Sequence, residues 1–281
     1  MRSDTEILCT IEQAAYAFVE HANQMVSDQY GSNIEVTFKD VHGADPVTEL
    51  DRTIEQLLVT TVAEQFPEHA VLGEEGNDVI QMPEWLWVID PVDGTRNFTN
   101  HIPLFAISVG VLHHGRPMVG VIGLPATSTI LHAQAGGGAY RNQAHLPTLT
   151  PTALHPGLLG VQDRDFWKDW GAHIALQNYL GESRWLGSTA YELAMITMGT
   201  FHFGTFAHIA IWDVAAGITL INEVGGQVLY YDYHQEVWQP LERFTTEIPL
   251  REWAASLIVG TAPVIATLAT QIHPRAKASG H

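Results

Sequence analysis

A chain of 281 residues with 46% hydrophobic and only 16% charged side chains can bury a sizeable core, as one large domain or two ordinary ones, which excludes a disordered protein. Thirteen basic against 31 acidic residues leave a formal charge of -18, and nucleic acid is excluded as a partner because phosphate backbones need a basic face. No apolar run approaches the ~20 residues of a membrane span, and Asp4 and Glu6 break the order of a signal peptide, so a cytoplasmic protein is expected.

Ile7, Leu8, Ile11, Ala14, Ala15, Phe18, Val19, Ala22, Met25 and Val26 recur at three-and-four spacing. This predicts a first helix, opened by a Ser3-x-x-Glu6 capping box and closed by Gly31. Cys9 lies on its apolar side and reads as a small core residue. A strand near 34–39 and the loop His42-Gly43-Ala44-Asp45-Pro46 lead to a second helix over 49–65. Asp51 falls in its first turn, where the helix dipole favours an acid.

A short strand over 69–72 ends in Gly73-Glu74-Glu75-Gly76. The run 85–89 reads as a buried strand that stops at Asp90-Pro91-Val92-Asp93-Gly94-Thr95. Two acids at a strand end repel each other and resist desolvation, so a hard divalent cation with oxygen ligands suits them. Gly94 lets the backbone approach a ligand, and the Gly94 and Thr95 amides can donate to an anion. Taken alone, the same residues also suit an ordinary surface turn.

Runs at 105–112, 118–124 and 129–135 predict an antiparallel meander. Gly136-Gly137-Gly138 lacks the Lys-Ser/Thr of a phosphate loop and reads as a turn. The proline-rich stretch 146–157 predicts a boundary between an N-terminal half, 1–146, and a C-terminal half, 147–281. A weak helix over 166–179, a capped helix over 190–198, a helix over 214–224 preceded by Asp213, a strand over 227–231 and a strand-turn-helix over 256–271 follow. Alternating strands and helices predict a layered α/β or α+β protein. None of the 15 histidines pair at metal-ligand spacing, and His113 and His114 would alternate across a strand.

Glu74, Asp90, Asp93 and Asp213 are thus carboxylates at strand ends and a helix start, able to share Mg2+ only where the fold gathers them. Four blocks occur in order: Asp45-Pro46-Val47-Thr48-Glu49-Leu50-Asp51; Gly73-Glu74-Glu75; Trp87 to Phe98; and Trp212-Asp213-Val214-Ala215-Ala216-Gly217 followed by Gly225-Gly226. They resemble the inositol monophosphatase family of lithium-sensitive, metal-dependent phosphomonoesterases. The resemblance implies an αβαβα sandwich of the sugar-phosphatase type, a homodimer, and two or three Mg2+ ions with Mn2+ as a substitute. It implies that Glu74, Asp90 and the Val92 carbonyl hold one ion, and Asp90, Asp93 and Asp213 a second, with Glu74 also reaching a third. Asp51 and Thr95 would orient and deprotonate a water. Glu75 would support the ligands, and Lys39 would stand near the entrance. Amides of Gly94 and Thr95, with the turn Gly187-Ser188-Thr189, would bind the phosphate.

One departure concerns the substrate. Inositol-specific members place a glutamate seven residues before Asp213, where this chain has Phe206. Losing that charge-assisted hydrogen bond removes ~1.5–3 kcal/mol of recognition. The expected activity is hydrolysis of a small phosphate monoester of an inositol, sugar or cyclitol. Alternatives are 3'-phosphoadenosine phosphate, another nucleoside phosphate, NADP, histidinol phosphate or fructose bisphosphate. A covalent phosphoenzyme is the second mechanism, and a regulatory binding protein retaining the fold is the non-enzymatic alternative.

Overall fold

The computed structural model describes residues 4–32, 36–38, 46–76, 78–79, 81–172 and 181–275. Ser3, Lys39 and Asp45 lie outside these residues.

Helices α1 (Asp4–Gln29) and α2 (Glu49–Gln65) form the outermost layer. Their apolar stripes, with Ile11, Phe18, Val19, Ile54 and Leu58 fully buried or nearly so, cover one face of a seven-stranded sheet. That sheet runs in chain order: β3 (Ala70–Gly73), β4 (Trp85–Asp93), β5 (Ala106–His113), β6 (Arg116–Leu124), β7 (Thr129–Gln134), β8 (Ala139–Arg141) and β9 (Ala144–His145). The β3–β4 pair is parallel and the other pairs antiparallel. Ahead of it, β1 (Val36–Phe38) and β2 (Pro46–Thr48) pair as a separate ribbon.

A six-stranded sheet is built from β10 (Leu159–Gln162), β12 (Glu182–Arg184), β13 (Phe203–Ala210), β14 (Gln227–Asp232), β15 (Val237–Pro240) and β16 (Ala254–Gly260). Its spatial order is β12-β10-β13-β16-β14-β15. Between the sheets lie α5 (Thr189–Thr197) and α6 (Ile211–Glu223), and α7 (Ala262–Gln271) covers the far side. The result is a five-layer sandwich with two mixed sheets. Each sheet draws its strands from one side of residues 146–157, yet Leu72, Leu86 and Val88 share one apolar cluster with Leu193, Val214 and Leu257.

Two expected elements differ. Of the expected helix over 166–179, residues 173–179 lie outside the described residues; within 166–172, Phe166–Asp169 is helical, as α4, and the chain then extends into β11 (Trp170–Ala172), paired with β17 (Ile272–Pro274). The fully buried Trp170 ring, packed against Phe166, Tyr231 and Trp238, fixes that outcome, because so large a side chain gains more from burial than a second helical turn would. No strand was expected over 203–210. There β13 is buried between α5 and α6 on one side and α7 on the other, and a strand covered on both faces shows no alternation to read.

Candidate active site

The site is built on an irregularity in β4. Asp90 pairs with Ser108 and Asp93 with Ala106, so three steps along β4 match two along β5. Residues three apart in a regular strand face opposite sides; the extra residue of this bulge turns both acids to one side. The strand therefore continues through Asp93 instead of stopping at Asp90. Asp90 Oδ1 accepts the Val92 N–H at 3.0 Å, which holds the bulge. Gly94 (φ +88°) follows, and any side chain there would press on Ser188 Cβ, 2.9 Å from an added Cβ. The one-turn helix α3 (Thr95–Thr99) starts directly after it.

Asp213 comes from a distant part of the chain. Helix α6 approaches β5 and β6 so closely that a Cβ on Gly110 would meet Ala215 at 2.7 Å and one on Gly120 would meet the Ala216 carbonyl at 2.1 Å. Ser108 Oγ donates to the Trp212 carbonyl at 3.0 Å, joining the start of α6 to the strand beside Asp90. Asp213 Oδ2 accepts the Ala210 N–H at 3.1 Å in the first turn. Carboxylate oxygens of Asp90, Asp93 and Asp213 consequently lie within 4.8 Å of one another.

Glu74 joins them through the parallel pair, in which Gly73 registers with Ile89 and the Glu74 N–H donates to the Ile89 carbonyl at 3.2 Å. Its carboxyl hydrogen-bonds Asp90. Two residues the sequence reading missed hold this loop. Buried Glu55 of α2 accepts the Glu75 N–H at 2.7 Å and lies flat against Gly73. From the other side Arg251 donates to the Gly73 carbonyl at 2.5 Å and the Glu74 carbonyl at 3.0 Å, with its guanidinium over the Trp212 ring. Glu55 lies on the helix α2 face that reads as core, and Arg251 stands alone in an unpatterned stretch, so neither carries a local signal.

Burial raises the pKa of Asp90 and Asp213, and repulsion from Glu74 and Asp93 raises both further; the Asp213 charge adds to the rise of Asp90, whereas hydrogen bonds from Ala210 and with Asp90 lower Asp213. Asp93 is pushed up to about 6 by burial, against the lowering effect of hydrogen bonds from Ser188 and Ala190. Asp51 also reaches about 6: burial raises it, bonds from Thr48 lower it, and Glu74 raises it again. Acids this crowded and buried favour the proton over the bare charge unless a cation replaces the proton. The donors are carboxylates with the Val92 carbonyl beside them, an oxygen-only set that fits Mg2+ or Mn2+ better than a softer metal.

The other expected residues divide. Asp51 is buried at the start of α2, with Oδ2 accepting the Thr48 N–H at 2.9 Å and the Thr48 hydroxyl. Thr95 Oγ1 donates to the Val92 carbonyl at 2.9 Å. The Gly187-Ser188-Thr189 turn corrects the expectation of direct phosphate contact for Ser188. Ser188 is 2% exposed and donates to Asp93 Oδ2 at 2.7 Å, the Ala190 N–H bonds the same oxygen, and the start of α5 serves Asp93. Asn97 ties α3 to this turn by donating to the Leu186 carbonyl at 2.7 Å. Phe206 faces no substrate: at 1% exposure its ring sits in the core against Gly204. His208, at φ +56° in the bulge of β13, is exposed and bonds Asp169 at 2.7 Å. Glu192, also missed as a site residue, is a buried acid in the first turn of α5. Burial, then the charge of Asp93, drives its pKa to about 8 despite a bond from the Leu186 N–H.

This sandwich, with oxygen ligands gathered at the strand ends beside a helix start, defines a metal-dependent phosphomonoesterase. The chain belongs to the inositol monophosphatase family, whose sequence profile matches residues 8–267. It is 32% identical over 224 residues to inositol-1-monophosphatase of Bacillus subtilis (strain 168), covering 77% of this chain and 83% of the relative. It is 35% identical over 210 residues to Nus factor SuhB of Pseudomonas aeruginosa, covering 69% and 75%. In fold it is similar to an IMPase/NADP phosphatase complexed with Mg2+ and phosphate, with a TM-score of 0.78 at 18% identity over 94% of this chain and 95% of that one.

Proposed function

We propose that this chain hydrolyses a small phosphorylated alcohol, sugar or cyclitol with water as the nucleophile, using two Mg2+ ions and a weaker third. Glu74, Asp90 and the Val92 carbonyl would hold the first ion, and Asp90, Asp93 and Asp213 the second, with Glu74 reaching the third. When bound, such ions neutralise phosphate oxygens, lower the pKa of a water and stabilise the departing alkoxide. The observation that carries the reading is the convergence of three carboxylates from two remote segments within 4.8 Å.

The chain's own groups account for the rest. Asp51, with its pKa near 6, is a base of suitable strength at neutral pH for a proton relayed through the Thr95 hydroxyl. Gly94 and Thr95 amides stand at the start of α3, beside the acids, where they can donate to phosphate oxygens. Ser188 and Ala190 hold Asp93 in place, as Glu55 and Arg251 hold the Glu74 loop. Glu75 would support the ligands, its backbone N–H already donating to Glu55. With Phe206 in the core instead of a glutamate carboxylate, ring hydroxyls lose one charged partner, which favours substrates other than myo-inositol phosphate.

Phosphate release from inositol phosphates, fructose bisphosphate, histidinol phosphate, nucleoside phosphates and NADP, with and without Mg2+, tests this reading. The expected result is Mg2+-dependent turnover that Asp93→Asn removes. Wild-type rates in that variant would overturn the catalytic role given to the acid cluster, and a wild type that releases phosphate from none of these esters would leave the regulatory binding protein as the better description. Lithium inhibition and a homodimer by analytical ultracentrifugation are further expectations.

A further inference from the structure

The opposite end of β4 carries a second convergence, of different chemistry. Hairpin β5–β6 closes through His114 and Gly115, at φ +48° and +82°, the pair of positive values that a type I′ turn needs. His113 and His114 therefore do not alternate across a strand as their adjacency predicts. The left-handed backbone at His114 brings the two rings together, with centroids 4.4 Å apart and planes tilted 41°. A nitrogen from each ring and a carboxylate oxygen of Glu84, the residue before β4, lie within 4.8 Å of one another, with His113 Nε2 at 3.7 Å from Glu84 Oε1.

This cluster rests on a rigid frame. The His114 N–H donates to the Glu84 carbonyl at 2.7 Å, so turn and strand start are already joined. Trp85 pairs with His113 in the sheet and stacks on its ring at 4.2 Å and 23°. Trp85 in turn stacks on His69 at 5.4 Å, and His69 on Phe66 at 5.0 Å. Stacking occupies the faces of the His113 ring and leaves its edge, where the nitrogen lone pairs lie, for a ligand.

We propose that Glu84, His113 and His114 form a site for a borderline divalent transition metal, Zn2+ above all, with a fourth position for water. Two imidazoles and one carboxylate make a zinc donor set. Bonds of ~2.0–2.1 Å in a tetrahedron place donor atoms ~3.4 Å apart, a contraction of up to ~1.4 Å from the present spacing. Glu84 and His114 are exposed, so rotation of their side chains supplies it. Arg116 stands directly across the hairpin from His113, so the neighbourhood offers little net negative charge. An ion held mainly by charge, such as Mg2+ or Ca2+, gains nothing there, whereas directional nitrogen bonds still hold zinc. Glu84 and Asp90 are six residues apart along extended chain, about 20 Å at ~3.3 Å per residue, so this metal is separate from those of the acidic site. Its binding would pin the hairpin tip to the start of β4.

Equilibrium dialysis against Zn2+ with Mg2+ in large excess tests the site, comparing wild type with His114→Asn and Glu84→Gln. His114→Asn creates Asn-Gly, the pair best suited to a type I′ turn, so that variant folds and keeps its phosphatase rate. The expected result is one fewer zinc equivalent in His114→Asn. Its zinc affinity should fall more than the ~10–100-fold that losing a partner outside the ligand sphere costs. Co2+ bound to the wild type should show visible absorption bands of a nitrogen-ligated, low-coordinate site, absent from the variant. Equal zinc stoichiometry and affinity in all three proteins, or an unchanged Co2+ spectrum, would overturn the proposal.

Discussion

Glu192 offers a direct readout of a buried charge. Its folded pKa of about 8 lies above the ordinary glutamate value of 4.5, so the folded protein holds a proton that the unfolded chain releases between those values. The stability this proton contributes is fully present below about 4.5 and is lost as pH rises through about 8. Glu192→Gln, which mimics the protonated acid, should flatten the fall of melting temperature between about pH 4.5 and about pH 8, at ~2–4 °C per kcal/mol for a chain of this size. Thermal unfolding of both proteins across that range checks it; parallel profiles would contradict the shift. Arg251 is expected to act on Glu74 through the two carbonyls it binds. Lysine cannot reproduce a planar fork, so Arg251→Lys should raise the Mg2+ needed for half-maximal rate by ~10-fold with little change in melting temperature. Phosphate release titrated with Mg2+ separates these two effects.

The gathering of acids depends on how closely two elements approach. Helix α6 lies so near β6 that a methyl group on Gly120 would overlap the Ala216 carbonyl, and the helix that carries Asp213 would have to move. Gly120→Ala should destabilise by ~1–3 kcal/mol, read by denaturant unfolding, and weaken Mg2+ binding as well, read by calorimetry. Retained metal affinity in the destabilised protein would show that Asp213 tolerates displacement. The bulge in β4 makes the complementary contribution, since without its extra residue Asp90 and Asp93 would face different layers.

Across the whole molecule, a formal charge of -18 and a buried acid cluster make metal binding and folding one problem. Asp51 and Asp93 are raised to about 6, so without metal the folded state retains protons between the ordinary value near 3.8 and about 6 and loses stability as pH rises through that window. Protons and Mg2+ compete for the same oxygens. Mg2+ affinity should therefore rise with pH until these groups have ionised. The Mg2+-induced stabilisation, read as a gain in melting temperature, should grow along with it, reaching ~2.7 kcal/mol at a concentration 100-fold above Kd. Scanning calorimetry at several pH values checks this, and a Mg2+ shift independent of pH would contradict the competition.

Local pattern was enough for the long amphipathic helices, the meander after Phe105, and the acidic residues at strand ends, because periodicity and turn chemistry act within a few neighbouring residues. Four spaced blocks were also enough for the family. The path of the chain over 203–210 was not legible, nor was the withdrawal of Phe206 into the core, since burial on both faces erases alternation. The duty of Ser188 towards Asp93, the clamp of Glu55 and Arg251 on the Glu74 loop, and the meeting of Glu84 with two adjacent histidines were equally hidden. Each arises from strand register, a bulge, or one left-handed residue, and those depend on partners up to 178 residues away that no local stretch can name.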